Sequence, residues 1–246
     1  MRSLRFYFPA ALTVVMLAVL LLLGSWQVER LAWKNDLLAR IAARQSAQPL
    51  LLNGAGLRQL TEDKDAYRRA RLTGRYGQQT VFWFTQIENK PDGLASPDKV
   101  GYHALSPFFL ADGTVVLIDR GFVPARLKDS LPPVATNEQS LDVVLRWPDK
   151  RGLFDNADKP QENLFYVRDT EAIGGHWQLA MPAVIGEVVA TGNAWPRGGQ
   201  TRLSMPNNHL QYAGTWFGLA IVLVIVSGLW HIRLLKNRTR PEDPSQ

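Results

Sequence analysis

The sequence contains no cysteine. This absence excludes a disulfide framework, thiol redox chemistry and every thiolate metal site, including a cysteine-based copper shuttle. Histidine is scarce as well: the histidines are His103, His176, His209 and His231, and no two of them have the local spacing of a metal site. The chain therefore carries no local metal-binding motif.

Catalytic signatures are also missing. The sequence has no G-x-S-x-G nucleophile elbow, no H-E-x-x-H zinc motif, no P-loop and no G-x-G-x-x-G between a strand and a helix. Acidic residues such as Glu62, Asp63 and Asp65 have the pattern of a solvated surface. An exported enzyme would need a polar catalytic cluster in the middle of the chain, and the sequence shows none. We therefore predict a protein that is not an enzyme.

Charged residues are absent from two long stretches, one near each end of the chain. They run from Phe6 to Val28 and from Leu210 to Ile232, and both are rich in aliphatic residues. A helix needs about 20 apolar residues to cross the hydrocarbon core of a bilayer. We therefore predict transmembrane helices over 8–28 and 209–232.

The first apolar stretch also has an alternative interpretation as a cleaved signal peptide, because Arg2 and Arg5 precede it as a positive region. Its length exceeds that of a typical signal sequence. The residues that follow it, GSWQVERLAWK, are bulky where a cleavage site needs small ones. These two features favour an uncleaved anchor.

The location of the positive charge predicts the orientation in the membrane. Most of the net charge of +6 comes from the two ends of the chain, 1–30 and 233–246. Basic flanks beside apolar spans follow the positive-inside rule, so we expect the tails 1–7 and 233–246 to be cytoplasmic and 46–208 to lie outside, in a periplasmic or intermembrane space. Because the tails explain the charge, no nucleic-acid partner is expected.

The middle of the chain consists of short β-branched or aromatic runs separated by turn residues. FFLADGTVVLIDRG is the clearest hairpin signal, with two apolar strands on either side of Asp112 and Gly113. No repeat of fixed period and no alternation of strands with helices is present. We predict an α+β protein in which two terminal transmembrane helices flank one antiparallel β-rich extracytoplasmic domain, 46–208.

The first span does not end in a turn. Trp26, Trp33, Leu37 and Ile41 recur at helical spacing beyond the apolar run. We therefore expect this helix to continue out of the bilayer to residue 45, shortly before Pro49 breaks the pattern.

His209 stands where the second span should begin, in the segment PNNHLQYAGTWF. On a helix that starts there, His209, Tyr212, Ala213 and Trp216 share one face. An imidazole beside aromatic rings at the membrane boundary suits a planar metal-bearing ligand such as haem, for which histidine is an axial donor. The competing interpretation is a histidine that helps to anchor an interfacial helix, with a preceding asparagine as its cap. The spacing alone leaves both open.

The other three histidines have plainer interpretations. His103 lies in a predicted strand and His176 in a predicted loop, and both are typical of surface or hydrogen-bonded histidines. His231, beside Trp230 at the end of the second span, is typical of an interfacial anchor.

Three separated blocks carry a family resemblance. LGSWQVERLAWK (23–34), GYHALSPFFLADGTVVLIDRGFVP (101–124) and PNNHLQYAGTWFGLA (206–220) resemble, in this order, hallmark blocks of the surfeit-locus family of cytochrome c oxidase assembly factors. LRWP and NLFYVRD match lesser blocks of the same family. The chain departs from the pattern at Phe165, where many members have tryptophan, and at Gly214, where a larger residue is usual.

The resemblance implies a membrane protein with two spans that helps to mature haem–copper oxidases. In bacterial members it implies binding of haem a through the histidine of the H-L-Q-Y-A block, which is His209 here. Tyr212 and Trp216 are expected to line the haem ring. Arg30 or Arg120 is expected to pair with the propionates.

The expected partners follow from the same resemblance. They are the catalytic subunit of the oxidase, the haem a synthase and the lipid bilayer, and the expected location is the bacterial inner membrane. Because the family serves different terminal oxidases, another haem type is an alternative to haem a. The rival hypothesis is a haem-independent scaffold or chaperone that stabilises the oxidase subunit or the haem synthase during assembly.

Overall fold

A computed structural model describes residues 4–86, 99–189, 194–199 and 207–238. The chain divides into two units, which are described separately: Met1–Ala39 with Ser204–Gln246, and Arg40–Leu203. We call the first the helix pair and the second the β domain. The outermost residues of the predicted tails, 1–3 and 239–246, lie outside the described residues.

The described residues contain helices at both ends and strands between them. The helices are α1 (Leu4–Ser46), α2 (Gly54–Arg58), α3 (Glu62–Asp65), α4 (Thr170–Trp177) and α5 (His209–Arg238). The strands are β1 (Leu50–Leu52), β2 (Arg69–Tyr76), β3 (Val81–Gln86), β4 (Val100–Leu110), β5 (Val115–Pro124), β6 (Gln139–Arg146), β7 (Leu164–Phe165) and β8 (Ile185–Val188). Short 3₁₀ helices occur at Ala125–Ser130 and Pro160–Glu162.

The two terminal helices have the length and composition of membrane spans. Tyr7–Ser46 and His209–Lys236 are long and apolar enough to cross a bilayer. Their outer faces carry apolar side chains such as Leu22 and Ile221, which are 70% and 61% exposed. Hydrocarbon would cover these side chains and remove their apolar surface from water. The two helices support a two-pass membrane protein.

Five strands of the β domain close into a barrel. β2 pairs with β6, β6 with β8, β8 with β5 and β5 with β4, and β4 returns to β2. The length of β4 makes the closure feasible, because its first half pairs with β3 while Phe108 and Leu110 pair with Tyr76 and Gly74 of β2. The ring leaves no unpaired edge among these five strands.

The predicted class, α+β with terminal apolar helices around a β-rich domain, is confirmed. Most pairings are antiparallel, but β1 with β2, β3 with β7 and β5 with β8 are parallel. The predicted hairpin is the β4–β5 connection. Gly113 there has a φ of 82°, and the Asp112 carboxylate accepts a hydrogen bond from the Thr114 N–H at 3.0 Å. This local chemistry explains why the hairpin was predictable.

Strand side chains point alternately to two apolar clusters. The first cluster draws on all five ring strands and fills the barrel, with Phe108, Ile118 and Leu145 fully buried. Leu57 of α2 joins this cluster, and the Gly54 N–H of α2 donates to the Asp112 carboxylate at 2.8 Å. Helix α2 therefore lies at the barrel end that carries the β4–β5 hairpin.

The second apolar cluster lies between the outer face of the sheet and α4. Ile173 of α4 is fully buried there with Leu117 and Ile185. The Asp169 carboxylate caps α4 by accepting from the N–H groups of Glu171 and Ala172.

Helix α4 corrects one prediction. His176 was predicted to lie in a loop, but it occupies the last turn of α4. Its Nε2 is 3.0 Å from the Asn163 side-chain oxygen. The glycines Gly174 and Gly175 favoured a loop in the sequence, whereas the aspartate cap and the burial of Ile173 favour a helix in the fold.

Candidate functional site

The helices α1 and α5 pack side by side along residues spaced by three and four. On α1 the less exposed positions include Thr13, Leu20, Gly24, Gln27 and Leu31, and on α5 they include His209, Ala213, Phe217, Ala220 and Ser227. A spacing that alternates between three and four residues is the pattern of a two-helix coiled coil. Contacts along the pair show that the helices run antiparallel, because early residues of α1 meet late residues of α5.

Two contacts define the packing of the helix pair within the apolar region. The hydroxyl oxygens of Thr13 and Ser227 are 3.0 Å apart. At Gly24 the ring of Phe217 lies so close that a Cβ atom would be 2.6 Å from it. Small residues let helices approach closely where lipid supplies no hydrophobic driving force between them.

His209 is the first residue of α5 and faces α1. Its Nδ1 lies 2.8 Å from Oε1 of Gln27, which is one of the inward positions of α1. An amide oxygen only accepts hydrogen bonds, so Nδ1 carries the proton and donates. The lone pair of the neutral ring is then on Nε2. No hydrogen bond joins Nε2 to any residue within the described ranges.

The start of α5 depends on the two residues before His209. The Asn208 carbonyl accepts from the Tyr212 N–H at 3.1 Å, which opens the helical hydrogen-bond series. The Asn207 side-chain amide donates to the Asn35 side-chain oxygen at 3.0 Å. Asn207 therefore joins the two helices and does not cap α5 through its oxygen, which finds no partner among the described residues.

The other expected haem contacts differ in where they face. Trp216 lies two turns after His209 on the same face and is half-buried, with the buried Ala213 between them. Tyr212 lies at the flank of this face and is 55% exposed. The structure thus brings His209, Trp216 and Gln27 to one side of the helix pair, with Tyr212 at its margin.

The two expected propionate partners belong to different units. Arg30 is one turn beyond Gln27 on α1, and its guanidinium lies 4.0 Å from the centre of the Trp33 ring. Arg120 belongs to β5 in the β domain, where the Tyr76 ring is 5.8 Å from its guanidinium. Of these two arginines, Arg30 belongs to the helix pair, as His209 does, and Arg120 belongs to the β domain.

The β domain contains a buried charge cluster that the sequence analysis did not single out. Its centre is Arg168, which lies 2.5 Å from Glu187, 2.9 Å from Asp149 and 3.8 Å from Asp119. Residues Arg168 and Asp119 are 4% and 1% exposed. Charged residues inside the apolar runs NLFYVRD and VVLIDRG were the available signal.

Charge pairing holds both buried groups in their ionised form. Burial works against the charge of Arg168, but Asp149, Glu187 and Asp119 hold its pKa above the ordinary value. Burial would raise the pKa of Asp119, but His103, Arg168 and the Gly121 N–H hold it below the ordinary value. The Nδ1–H group of His103 donates to the Asp119 carboxylate at 2.8 Å, as expected for a hydrogen-bonded histidine.

Metal-binding side chains do not gather in groups of three or more within the part of the chain that the structure describes. Around His209 the structure therefore offers one imidazole, whose ring is oriented by Gln27. A neutral histidine whose Nδ1–H is held by an oxygen acceptor is the usual form of a metal-ligating histidine, with Nε2 as the ligand atom. The Nε2 atom of His209 would suit a haem iron, which histidine commonly holds through one nitrogen.

Comparison with known proteins gives a consistent family assignment. A model described as the SURF1 family matches residues 14–221. Surfeit locus protein 1 of Gallus gallus is 30% identical over 229 residues, which cover 87% of this chain and 72% of that protein. Surfeit locus protein 1 of Homo sapiens is 30% identical over 230 residues, covering 87% and 74%. The SURF1-like protein of Caenorhabditis elegans is 29% identical over 229 residues, covering 83% and 68%.

Proposed function

This chain belongs to the SURF1 family, and from this premise we propose that it is a membrane-bound assembly factor for cytochrome c oxidase. In this role it binds haem a and assists its insertion into the catalytic subunit. The protein acts by binding and release and makes no covalent change in the haem. The catalytic subunit and the haem a synthase are its proposed partners.

The observation that carries the proposal is the 2.8 Å hydrogen bond between His209 and Gln27. Because Gln27 holds the Nδ1 proton, Nε2 keeps its lone pair and a defined direction. A histidine that only anchored the helix would need no such partner on the facing helix. Bound haem supplies an iron that accepts this lone pair. Gln27 is thus a positioning residue for the ligand.

Side chains around His209 supply the rest of the proposed site. Trp216 on the same face and Tyr212 at its margin offer aromatic surfaces to a flat ring. Arg30 can approach a carboxylate from α1, because it stands one turn beyond Gln27. We assign the propionate role to Arg30 and give Arg120 a separate role, since Arg120 lines a pocket of the β domain.

The location is part of the proposal. We place α1 and α5 in the bacterial inner membrane, with both termini cytoplasmic and the β domain periplasmic, because basic residues flank the outer ends of the two spans. His209 then stands at the periplasmic boundary of the membrane. One protein nitrogen at such a boundary suits a carrier that must release its cargo.

The test measures haem in the purified chain. The full-length protein is co-expressed with the enzymes of haem a synthesis, purified in detergent and examined by visible absorption. The variants are His209→Ala, Gln27→Ala and, as a control, His176→Ala, which removes an exposed histidine of the β domain. We expect His209→Ala to lose its haem and His176→Ala to match the wild type. Gln27→Ala should bind haem about ten- to a hundredfold more weakly, because removing the hydrogen-bond partner of a ligating histidine usually has an effect of this size.

The outcomes separate the two functional hypotheses. Unchanged haem content in His209→Ala would contradict the axial-ligand role. A wild-type protein without haem would instead support the haem-independent scaffold. The assembly role has its own measurement: a strain that lacks this chain should contain less haem a per oxidase catalytic subunit, and the wild-type chain should restore it.

A further inference from the structure

The β-barrel has a pocket at the end opposite the β4–β5 hairpin. Alternation along the strands places Arg120 of β5 on the same face as Val116 and Ile118, which fill the barrel. Tyr76 is the last residue of β2, and its side chain also points into the barrel. These inward side chains at the strand ends border a cavity of about 390 Å³. Mouths of β-barrels are common ligand sites, and this volume is in their usual range.

The pocket combines polar donors with an apolar wall. Arg120, Tyr76 and Gln139 supply N–H and O–H groups. The wall is made by apolar side chains and by one indole ring, which are Val134, Ala135, Leu141, Val188, Trp195 and Pro196. No acidic side chain of the described residues lines it. The pocket therefore offers hydrogen-bond donors and one positive charge, and no negative charge among its described lining residues neutralises that charge.

Arg120 differs from Arg168, the buried arginine of the same domain. Arg168 is surrounded by three carboxylates. Arg120 is half-buried, and no carboxylate of a described residue is within ion-pair distance of it. Burial lowers the pKa of Arg120 and raises that of Tyr76 well above its ordinary value, so the phenol stays protonated and able to donate. A partly desolvated cation that has no carboxylate partner among the described residues is costly unless another anion neutralises it.

We propose that the barrel-mouth pocket binds a small organic anion through Arg120 and Tyr76. The anionic group is a carboxylate or a phosphate, because the planar guanidinium matches both geometries and the phenol adds a donor. The body of the ligand is apolar and packs against Leu141 and Val188. The site belongs to the β domain alone, and it is separate from the haem role assigned to His209.

Calorimetric titration of the full-length protein in detergent tests the proposal with three probes. Benzoate carries a carboxylate, phenyl phosphate carries a phosphate, and benzamide is the neutral analogue of the same size. The variants are Arg120→Gln and, as a matched control, Arg75→Gln, which changes an exposed arginine of β2. A third variant, Tyr76→Phe, removes only the phenol hydroxyl and keeps the barrel interior apolar. Thermal unfolding shows whether each variant is folded.

We expect at least one anion to bind the wild type and benzamide to fail. A hydrogen bond to a charged group is lost in Arg120→Gln, so affinity should fall about ten- to a hundredfold. Tyr76→Phe should show a smaller loss, and Arg75→Gln none. The stronger of benzoate and phenyl phosphate identifies the anionic group.

Several results would overturn the proposal. Failure of both anions to bind the wild type does so, as does equal binding of benzamide. Equal losses in Arg75→Gln and Arg120→Gln would assign the effect to overall charge. Haem content distinguishes this site from the proposed function, because Arg120→Gln should keep the haem content of the wild type. Loss of haem in that variant would return Arg120 to the propionate role.

Discussion

Removal of the Arg168 guanidinium should destabilise the β domain more than any surface substitution. Arg168→Met keeps an unbranched side chain of similar length but removes the charge. Glu187, which is 8% exposed, then loses its closest cation, and Asp119, which is 1% exposed, loses a cation 3.8 Å away. Asp149 is exposed and can be solvated by water, so breaking its ion pair with Arg168 costs little.

The geometry sets the size of the effect. Breaking a buried ion pair by removing one partner costs about 3–5 kcal/mol, because the remaining charge is left uncompensated. Two partial replacements remain among the described residues: Arg146 is 3.6 Å from Glu187, and His103 is 2.8 Å from Asp119. We therefore expect the lower end, about 3 kcal/mol, which for a domain of this size lowers the midpoint of thermal unfolding by about 6–12 °C.

The pH dependence identifies the cause. In the wild type the folded-state pKa of Asp119 lies below its ordinary value, so its contribution to stability is present above the unfolded pKa of about 4 and is lost as pH falls through the folded pKa. Without Arg168 the pKa of Asp119 should rise, because one of the groups that lower it is gone. The variant then takes up this proton at higher pH than the wild type, and the difference in stability between the two shrinks as pH falls from 7 to 4.

The assay is thermal unfolding of the full-length protein in detergent, followed by tryptophan fluorescence at pH 7 and pH 4. The Trp83 ring, 4.4 Å from the Arg168 guanidinium, reports on the cluster. The control is Arg71→Met, which breaks an exposed ion pair with Asp142 and should change the midpoint little. A loss no larger than that of the control, or a loss that is independent of pH, would refute the role of buried charge. Glu187→Gln in the Arg168→Met background should recover part of the loss.

Three glycine substitutions give further predictions. Gly24→Leu should lower the temperature at which the full-length protein leaves its monodisperse size-exclusion peak, because its Cβ would lie 2.6 Å from the Phe217 ring, and Phe217→Ala should restore it; no rescue would show that steric contact is not the cause. Gly113→Ala should lower the free energy of unfolding in urea by about 1 kcal/mol, because Gly113 has a φ of 82°. A Cβ atom there would meet no neighbouring atom of the described residues, so the backbone conformation is the only cost. Gly121→Ala should cost clearly more, because its Cβ would lie 2.1 Å from the Arg197 carbonyl; equal losses at the two positions would contradict this.

Local patterns account for what could be predicted about the fold. The apolar stretches that became α1 and α5 are long enough to be recognised without any partner. The hairpin at Asp112 and Gly113 was recognisable because its turn chemistry is contained within a few residues. His176 shows the limit, because its helix depends on burial of Ile173 against the sheet, which no local window contains.

Contacts between distant segments account for the rest. Barrel closure joins Tyr76 to Phe108, and the parallel pairing joins Leu117 to Ile185. Short strands carry little information about which partner they will choose, since their own pattern specifies only an inward and an outward face. The family resemblance indicated which blocks matter, but it did not show that the Arg120 side chain lines a barrel mouth.

His209, at the start of the second span, also has some features that follow from its neighbours in sequence and others that follow from tertiary contacts. By itself the sequence determined that an imidazole stands where an apolar helix begins, because hydropathy and helical periodicity are properties of neighbouring residues. Only the tertiary structure decided which nitrogen of His209 is available, because the acceptor that holds the other one, Gln27, is 182 residues away in the chain. The hydrogen-bond partner sets which ring nitrogen carries the proton in the neutral imidazole, and helix packing supplies that partner.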